Sequence, residues 1–215
     1  MRLILRGARV IDGTGSSGTT GDVTIVDGRI AAVGEADTSG SVEIVDLDGL
    51  TLAPGFIDVH THFDAQVFWD PDFTPSSWHG VTTAVAGNCG FGLAPTRPAD
   101  RQAIMETLEK VEGMNLKTLT SGIDWSFESF PDYLALLARL PKRINLGAYV
   151  GHTPVRTYVM GTYDAPRRAA TAEEIARMGE IVSEAMSCGA VGFSTSFAPT
   201  HVGAKALPVP SRLAG

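Results

Sequence analysis

Residues 54–64 read PGFIDVHTHFD, and the pattern of the chain changes at this stretch. The Pro-Gly pair at its start is typical of a turn. A short apolar run, Phe56 to Val59, then leads directly into two histidines, His60 and His62. We therefore predict that one domain ends at residue 53, and that a second begins at residue 54 with a strand carrying both histidines.

The segment before this stretch, residues 1–53, is predicted to be a small antiparallel β scaffold. β-branched residues are frequent in it, and turn residues separate its short apolar runs. Asp27-Gly28 is the clearest hairpin turn, because glycine accepts the positive φ that a two-residue turn requires. The predicted strands are Leu3–Ile11, Val23–Val26, Arg29–Val33 and Glu43–Leu52.

The segment after this stretch, residues 54–215, alternates strand patterns with helix patterns. Such alternation implies an α/β domain with a parallel sheet. Thr171 and Glu174 have capping-box spacing, which predicts a helix start. Residues 202–215 are rich in Ala, Pro and Gly, and we expect a loose loop there. The predicted strands lie near residues 57, 83, 147 and 192, and the predicted helices are Arg97–Val111, Phe130–Leu140 and one beginning at Thr171.

The length of the chain, 215 residues, limits what this domain can be. A complete eight-stranded α/β barrel needs about 250 residues by itself. The chain therefore cannot contain such a barrel together with an accessory domain. The four strands predicted for residues 54–215 are too few to close such a barrel.

Composition excludes several classes of partner. The 24 acidic and 17 basic residues give a net charge of −7 with neutral histidines, which argues against nucleic acid. No apolar run is long enough for a secretory signal or a membrane span. The two cysteines, Cys89 and Cys188, lack CxxC spacing, so we expect no disulfide framework and a cytoplasmic location.

Three residues have the chemistry and the predicted placement of metal ligands. His60 and His62 are two positions apart on a predicted strand, so their side chains leave the same face. Cys89 follows the next strand in the loop GNCGFG, on the same expected edge of the sheet. Alone, a His-x-His pair is often a surface feature and a free cysteine is often a small buried hydrophobe. Together, two imidazoles and a thiolate indicate a Zn²⁺ site.

Two further residues are predicted to line the cleft and contact substrate. His152 ends the third strand of the series, where it could touch substrate or orient a ligand, although a packed loop histidine is an equally open interpretation. Ser196 is at the predicted end of the fourth strand. No catalytic carboxylate could be identified, and a hydrolytic site needs one to accept a proton from water.

Four segments of the chain resemble N-acyl-D-amino-acid deacylases (D-aminoacylases) of the metal-dependent amidohydrolase superfamily. They are PGFIDVHTHFD at 54–64, GNCGFGLAP at 87–95, GHTPVR at 151–156 and GAVGFST at 189–195. The resemblance implies a TIM-like barrel beside a small β-sandwich. It also implies zinc-dependent hydrolysis of the N-acyl group from a D-amino acid. Cys89, His60 and His62 match the family's metal ligands, and whether one or two metals bind stays open.

The resemblance also implies that part of the site is missing. In this family two further ligand histidines come from the fifth and sixth barrel strands, and the catalytic aspartate comes from the eighth. Residues 1–53 would then be part of the β-sandwich, and residues 54–215 would be barrel strands one to four. We expect negligible activity for the chain alone, with a complementary C-terminal half as a candidate partner.

Two alternatives remain open from the sequence. A cyclic amidase of the hydantoinase or dihydroorotase type shares the His-x-His start but uses a carboxylated lysine at the end of the fourth strand. Residues 190–196 contain no lysine, and Lys205 lies beyond them, so we rank this alternative lower. The other alternative is a non-catalytic product: a gene fragment, or a split half that needs a partner chain.

Overall fold

The computed structural model describes residues 1–203 and 206–214. The chain divides into two compact units, Met1–Gly55 and Phe56–Gly215. Lys205, the lysine noted beyond residues 190–196 when the cyclic amidase alternative was weighed, lies outside the described residues. Within the described residues, no helix has the length and hydropathy needed to cross a membrane.

The first unit contains one five-stranded mixed sheet. Its strands are β1 (Arg2–Val10), β2 (Thr19–Val26), β3 (Arg29–Gly34), β4 (Glu43–Asp46) and β5 (Thr51–Leu52). β2 pairs antiparallel with β1 and with β3, but β4 and β5 both pair parallel with β1. The prediction of a purely antiparallel scaffold was therefore wrong.

Two turns determine where neighbouring strands of this sheet are separated along the chain. The predicted hairpin at Asp27-Gly28 is confirmed, with φ values of 48° and 76° between β2 and β3. The predicted continuous strand Glu43–Leu52 was wrong, because Asp48 and Gly49 take φ values of 44° and 78° and separate β4 from β5. Both are residue types that tolerate this left-handed conformation.

The second unit contains four parallel strands in the order β6-β7-β8-β9, which confirms the predicted half-barrel. These strands are β6 (Phe56–Asp58), β7 (Val81–Ala86), β8 (Asn145–Gly151) and β9 (Gly192–Ser194). The helices are α1 (Arg101–Glu112), α2 (Leu116–Gly122), α3 (Phe130–Arg139), α4 (His152–Asp164) and α5 (Ala172–Ser187). The core lies between strands and helices, with Ala84, Val150, Leu108 and Tyr133 buried.

The helix starts show which local signals decided the structure. α5 begins as predicted, because Thr171 Oγ1 accepts from Glu174 N at 3.2 Å and the Glu174 carboxylate accepts from Thr171 N at 2.8 Å. α1 begins four residues later than predicted, since Pro98–Asp100 form a separate 3-10 turn. α2 and α4 were not predicted from the sequence.

The end of the chain is packed, which corrects the prediction of a loose loop at 202–215 as far as residues 202–203 and 206–214 are concerned. Val209 and Ser211 are fully buried. A 3-10 helix spans Pro210–Leu213. The Arg212 guanidinium donates to the carbonyl oxygens of Pro199 at 3.1 Å and His201 at 3.3 Å. The end of the chain is thus hydrogen-bonded to the segment that follows β9.

Candidate metal centre

The histidine pair lies in a loop rather than on the strand. β6 ends at Asp58, so the prediction that His60 and His62 are strand residues was wrong. The Asp58 carboxylate accepts from His60 N at 3.2 Å, and such local bonds draw the backbone away from the sheet ladder. Thr61, between the histidines, donates to Val85 O from both its backbone N, at 3.1 Å, and its hydroxyl, at 2.9 Å. The loop therefore stays attached to β7.

Cys89 is held in a tight turn that depends on the glycines beside it. Cys89 itself has a φ of 56°, and Gly87 has a φ of 82°. A Cβ on Gly87 would lie 2.4 Å from Tyr149 O, and one on Gly90 would lie 2.9 Å from Thr195 Cα. Only glycine allows this loop to lie so close to β8 and to the end of β9.

Side-chain hydrogen bonds join the histidine loop to the cysteine loop. Asn88 Nδ2 donates to Thr61 O at 3.2 Å and to Val85 O at 2.8 Å. On the other side, Ser194 of β9 accepts from Gly90 N at 3.1 Å and donates to Gly87 O. Hydrogen bonds to the loop after β6, to β7 and to β9 thus fix the position of Cys89.

The three predicted ligands meet at this place. Cys89 Sγ lies 3.2 Å from His60 Nε2. One ligand atom from each of His60, His62 and Cys89 can be chosen so that all lie within 4.8 Å of one another. In a tetrahedral zinc site with Zn–N of about 2.0–2.1 Å and Zn–S of about 2.3 Å, ligand atoms stand about 3.5 Å apart. The spacing is close to what one ion requires.

The chemistry of these side chains also fits a metal ion. His62 Nδ1 is buried and has no hydrogen-bond partner among the described residues. Burial, and then the charges of His60 and His201, lower the pKa of His62 to about 4, so its imidazole is neutral near pH 7. Burial and then Glu112 raise the pKa of the Cys89 thiol. A neutral imidazole with a free nitrogen, a second imidazole and a thiol that a cation would ionise suit zinc.

The other two predicted site residues lie near the same edge of the sheet but outside this ligand cluster. His152 is the first residue of α4, and its Nδ1 lies 2.9 Å from Thr195 Oγ1. Burial and then Arg156 lower the pKa of His152. Ser196 Oγ lies 2.8 Å from His201 Nδ1. The structure therefore connects both residues to the segment that follows β9.

Sequence reasoning missed two residues beside the ligands. Glu112, the last residue of α1, brings Oε2 to 3.3 Å from His62 Nε2. An acidic residue at a helix C-terminus opposes the helix dipole, and that conflict could have drawn attention to it. The His201 ring packs on Phe91 with a centroid distance of 5.2 Å. No local sequence signal pointed to His201.

Comparison with known proteins agrees with this geometry. Residues 43–214 match the family model described as "Amidohydrolase family". D-aminoacylase of Alcaligenes xylosoxydans xylosoxydans is 40% identical over 193 residues, which are 90% of this chain and 37% of that protein. The chain thus spans well under half the length of this relative.

Two solved structures also resemble the chain. A structure of D-aminoacylase that addresses its binuclear metal centre has a TM-score of 0.75 and 37% identity, over 99% of this chain and 40% of the other. N-acyl-D-glutamate deacylase from Bordetella bronchiseptica, complexed with zinc and a phosphonate inhibitor, has a TM-score of 0.74 and 36% identity, over 91% of this chain and 38% of the other. With the family model matching most of its residues, the chain belongs to the amidohydrolase family.

Proposed function

We propose that this chain is the N-terminal, metal-binding part of a zinc-dependent hydrolase that removes the acyl group from N-acyl-D-amino acids. The observation that carries the proposal is the convergence of His60, His62 and Cys89, with ligand atoms within 4.8 Å of one another. The similarity to D-aminoacylase supports the reaction, and the zinc in the related deacylase structure supports the metal.

The residues of the candidate metal centre have distinct roles in the proposed function. Zinc, when bound, polarises the amide carbonyl and lowers the pKa of a water molecule. Cys89, His60 and His62 hold the ion. Thr61 and Asn88 keep the two ligand loops together through Val85 O. As the resemblance to the deacylases implies, we place the proton acceptor, an aspartate, on the eighth barrel strand, in the C-terminal half of the complete enzyme.

We assign substrate contact to His152 and Ser196. Both are partly buried. His152 directly follows β8, and Ser196 lies shortly after β9. His152 has a lowered pKa, so its neutral ring can donate or accept a hydrogen bond to an acyl or carboxylate group. Replacing either residue by Ala should raise KM more than it lowers kcat, since these contacts are made before the reaction begins.

Apolar side chains are exposed at both edges of the half-barrel. Their exposure supports the proposal that a partner segment with the remaining strands packs there. Phe56 and Ile57 of β6 are 69% and 64% exposed, and Phe193 of β9 and Phe197 just after it are 44% and 61% exposed. Parallel sheets are normally covered on both faces, and open edges invite pairing. The relatives match this chain over only 37–40% of their own length. We therefore propose a complementary C-terminal half as the occupant.

Activity should therefore require that second half. We expect no hydrolysis of N-acetyl-D-methionine by the zinc-loaded chain alone. Joined to the C-terminal part of the D-aminoacylase relative, it should hydrolyse the D-substrate and not the L-substrate. In that fusion Cys89→Ala should abolish activity, while Cys188→Ala, at an exposed free cysteine, should retain it. Hydrolysis of dihydroorotate without hydrolysis of the D-substrate would contradict the proposal.

A further inference from the structure

A cavity of about 200 Å³ lies between α1, α4 and the end of the chain, and the proposed function gives it no task. The metal ligands are not among the described residues that line it. A cavity with apolar walls can hold a small apolar group in place of water. The lining is mostly apolar and includes Phe91, Ala103, Ile104, Pro154 and Leu207.

Phe91 connects this cavity with the candidate metal centre. It follows Cys89 by two positions, and the centroid of its ring lies 6.3 Å from that of the His62 ring. The same residue lines the cavity, together with Gly92, and is only 2% exposed. The cavity therefore begins one aromatic residue away from a metal ligand.

The first turn of α4 is a second connection between the cavity and the centre. His152, to which we assign substrate contact, begins this helix, and the next two residues, Thr153 and Pro154, line the cavity. A Cβ on Gly92 would lie 3.9 Å from Pro154 Cγ, so the loop after Cys89 passes close to this turn. The segments that carry Cys89 and His152 thus also bound the cavity.

The charged residues of the lining favour a neutral occupant. Glu106 and Arg167 carry opposite charges. The Glu106 carboxylate accepts from Gln102 Nε2 at 2.9 Å. The Arg167 guanidinium lies 4.3 Å from the centroid of the Tyr163 ring and donates to Tyr163 O at 2.6 Å. Both charges therefore have partners within the chain, and the surface left for an occupant is largely apolar.

We propose that this cavity receives the acyl chain of the substrate, so that N-acyl-D-amino acids with a medium-length apolar acyl chain are bound in preference to N-acetyl compounds. With the amide at the ligand cluster, the chain extends past Phe91 and between α1 and the first turn of α4. A cavity of about 150 Å³ holds benzene, so this larger one accommodates about six to eight carbon atoms. The inference rests on the proposed function, because it names the substrate class of the same reaction.

The first test measures binding and needs no catalysis. The probes are the straight-chain carboxylates from acetate to decanoate, which are the products that hydrolysis of such amides would release, titrated by calorimetry into the zinc-loaded chain. Burying one methylene group strengthens binding up to about fourfold, so the dissociation constant should fall about two- to fourfold per carbon from butanoate to octanoate and then level off. Equal affinities for acetate and octanoate would overturn the proposal.

The second test fills the cavity. Ala103 is a small, partly buried residue of α1 in the lining, and Ala103→Phe should remove most of the dependence of affinity on chain length. Ala135→Phe adds the same side chain at an exposed position of α3 and is the matched control, which should keep the dependence. The same dependence in Ala103→Phe and in the wild type would refute the site.

The wild-type chain also answers the question without a substitution. Nuclear Overhauser effects should join the alkyl protons of bound octanoate to the methyl groups of Ile104 and Leu207. Contacts with other methyl groups alone would place the chain outside the cavity and overturn the proposal. This result stands even if circular dichroism shows that Ala103→Phe does not fold.

The fusion with the C-terminal part of the D-aminoacylase relative separates this inference from the proposed function. In the fusion, N-octanoyl-D-methionine should have a lower KM than N-acetyl-D-methionine, and Ala103→Phe should reduce that preference at least about tenfold. Hydrolysis of both substrates with the same preference in the variant would reject only the acyl cavity. Hydrolysis of neither substrate would reject the proposed function and leave the binding of the carboxylates standing.

Discussion

Thr61 donates two hydrogen bonds to the single carbonyl oxygen of Val85, at 3.1 Å from its backbone N and 2.9 Å from its hydroxyl. This pair of bonds joins the loop that carries both histidines to β7, the strand that leads into Cys89. Asn88 donates to the same oxygen at 2.8 Å. The distance between the imidazoles and the thiol is therefore set by one short stretch of backbone.

Removing the Thr61 hydroxyl should loosen this connection. Thr61→Val keeps the shape of the buried side chain but loses one hydrogen bond, so unfolding should become easier by about 1 kcal/mol. Zinc affinity should fall several-fold, because the ligand loops are less well fixed. Urea unfolding and metal titration measure the two effects. Thr82→Val, at an exposed position of β7, is the control, and an equal loss there would contradict the explanation.

The close approach of Gly87 to β8 predicts a severe effect of adding a methyl group. Gly87→Ala would place Cβ 2.4 Å from Tyr149 O at a φ of 82°, whereas Gly113→Ala has a φ of 68° and nothing within 4 Å. The control should cost only the backbone strain, about 1–2 kcal/mol. We expect Gly87→Ala to cost clearly more and to lose metal binding. Similar melting temperatures for the two variants would refute this contact.

Metal binding should release protons chiefly from one group. The lowered pKa of His62, about 4, means that its ring is already neutral near pH 7.5, while burial keeps the Cys89 thiol protonated. Binding should therefore release about one proton per zinc and tighten about tenfold per pH unit below the thiol pKa. Calorimetry in buffers of different ionisation enthalpy counts the protons. A count near zero would contradict a protonated thiol.

The ion pair at the start of α5 predicts a pH dependence of stability. The hydrogen bond from Arg168, followed by that from Thr171 N, lowers the pKa of Glu174 to about 2. Because the folded pKa lies below the unfolded one, this group stabilises the fold above about pH 4.5, and the stabilisation is lost as pH falls toward 2. Glu174→Gln should thus lose less stability between pH 6 and pH 3 than the wild type.

Urea midpoints at pH 3, 4.5 and 6 provide the measurement for Glu174. Glu184→Gln removes an exposed carboxylate from the same helix and should keep the wild-type dependence on pH. If both variants lost stability in parallel with the wild type, the acid sensitivity would have to come from other groups.

Local patterns were sufficient to predict much of the fold. Alternation of strands and helices predicted the four parallel strands, and Thr171 with Glu174 marked the start of α5. α4 was not predicted; it begins at His152 and has Pro154 in its first turn, where proline is tolerated because its missing N–H would have no partner. α2 was missed because its start depends on Asn115, which accepts from the backbone N of Lys117 and Thr118.

The site was predictable only in part. Strand ends of a parallel sheet share one edge, and this brought His60, His62 and Cys89 together in the prediction. The strand assigned to the histidines was too long, because the bond from His60 N to Asp58 could not be anticipated from the pattern. Glu112 and His201 reach the site through the packing of α1 and of the chain after β9. The acidic residue at a helix C-terminus was a local signal for Glu112, whereas no local signal pointed to His201.

X-ray absorption at the zinc edge of the loaded chain is the direct test of a site made by two imidazoles and a thiolate. We expect one sulfur at about 2.3 Å and nitrogen neighbours at about 2.0–2.1 Å from zinc, with the sulfur lost in Cys89→Ala and retained in Cys188→Ala. A wild-type spectrum with only nitrogen and oxygen neighbours would contradict a site built from His60, His62 and Cys89.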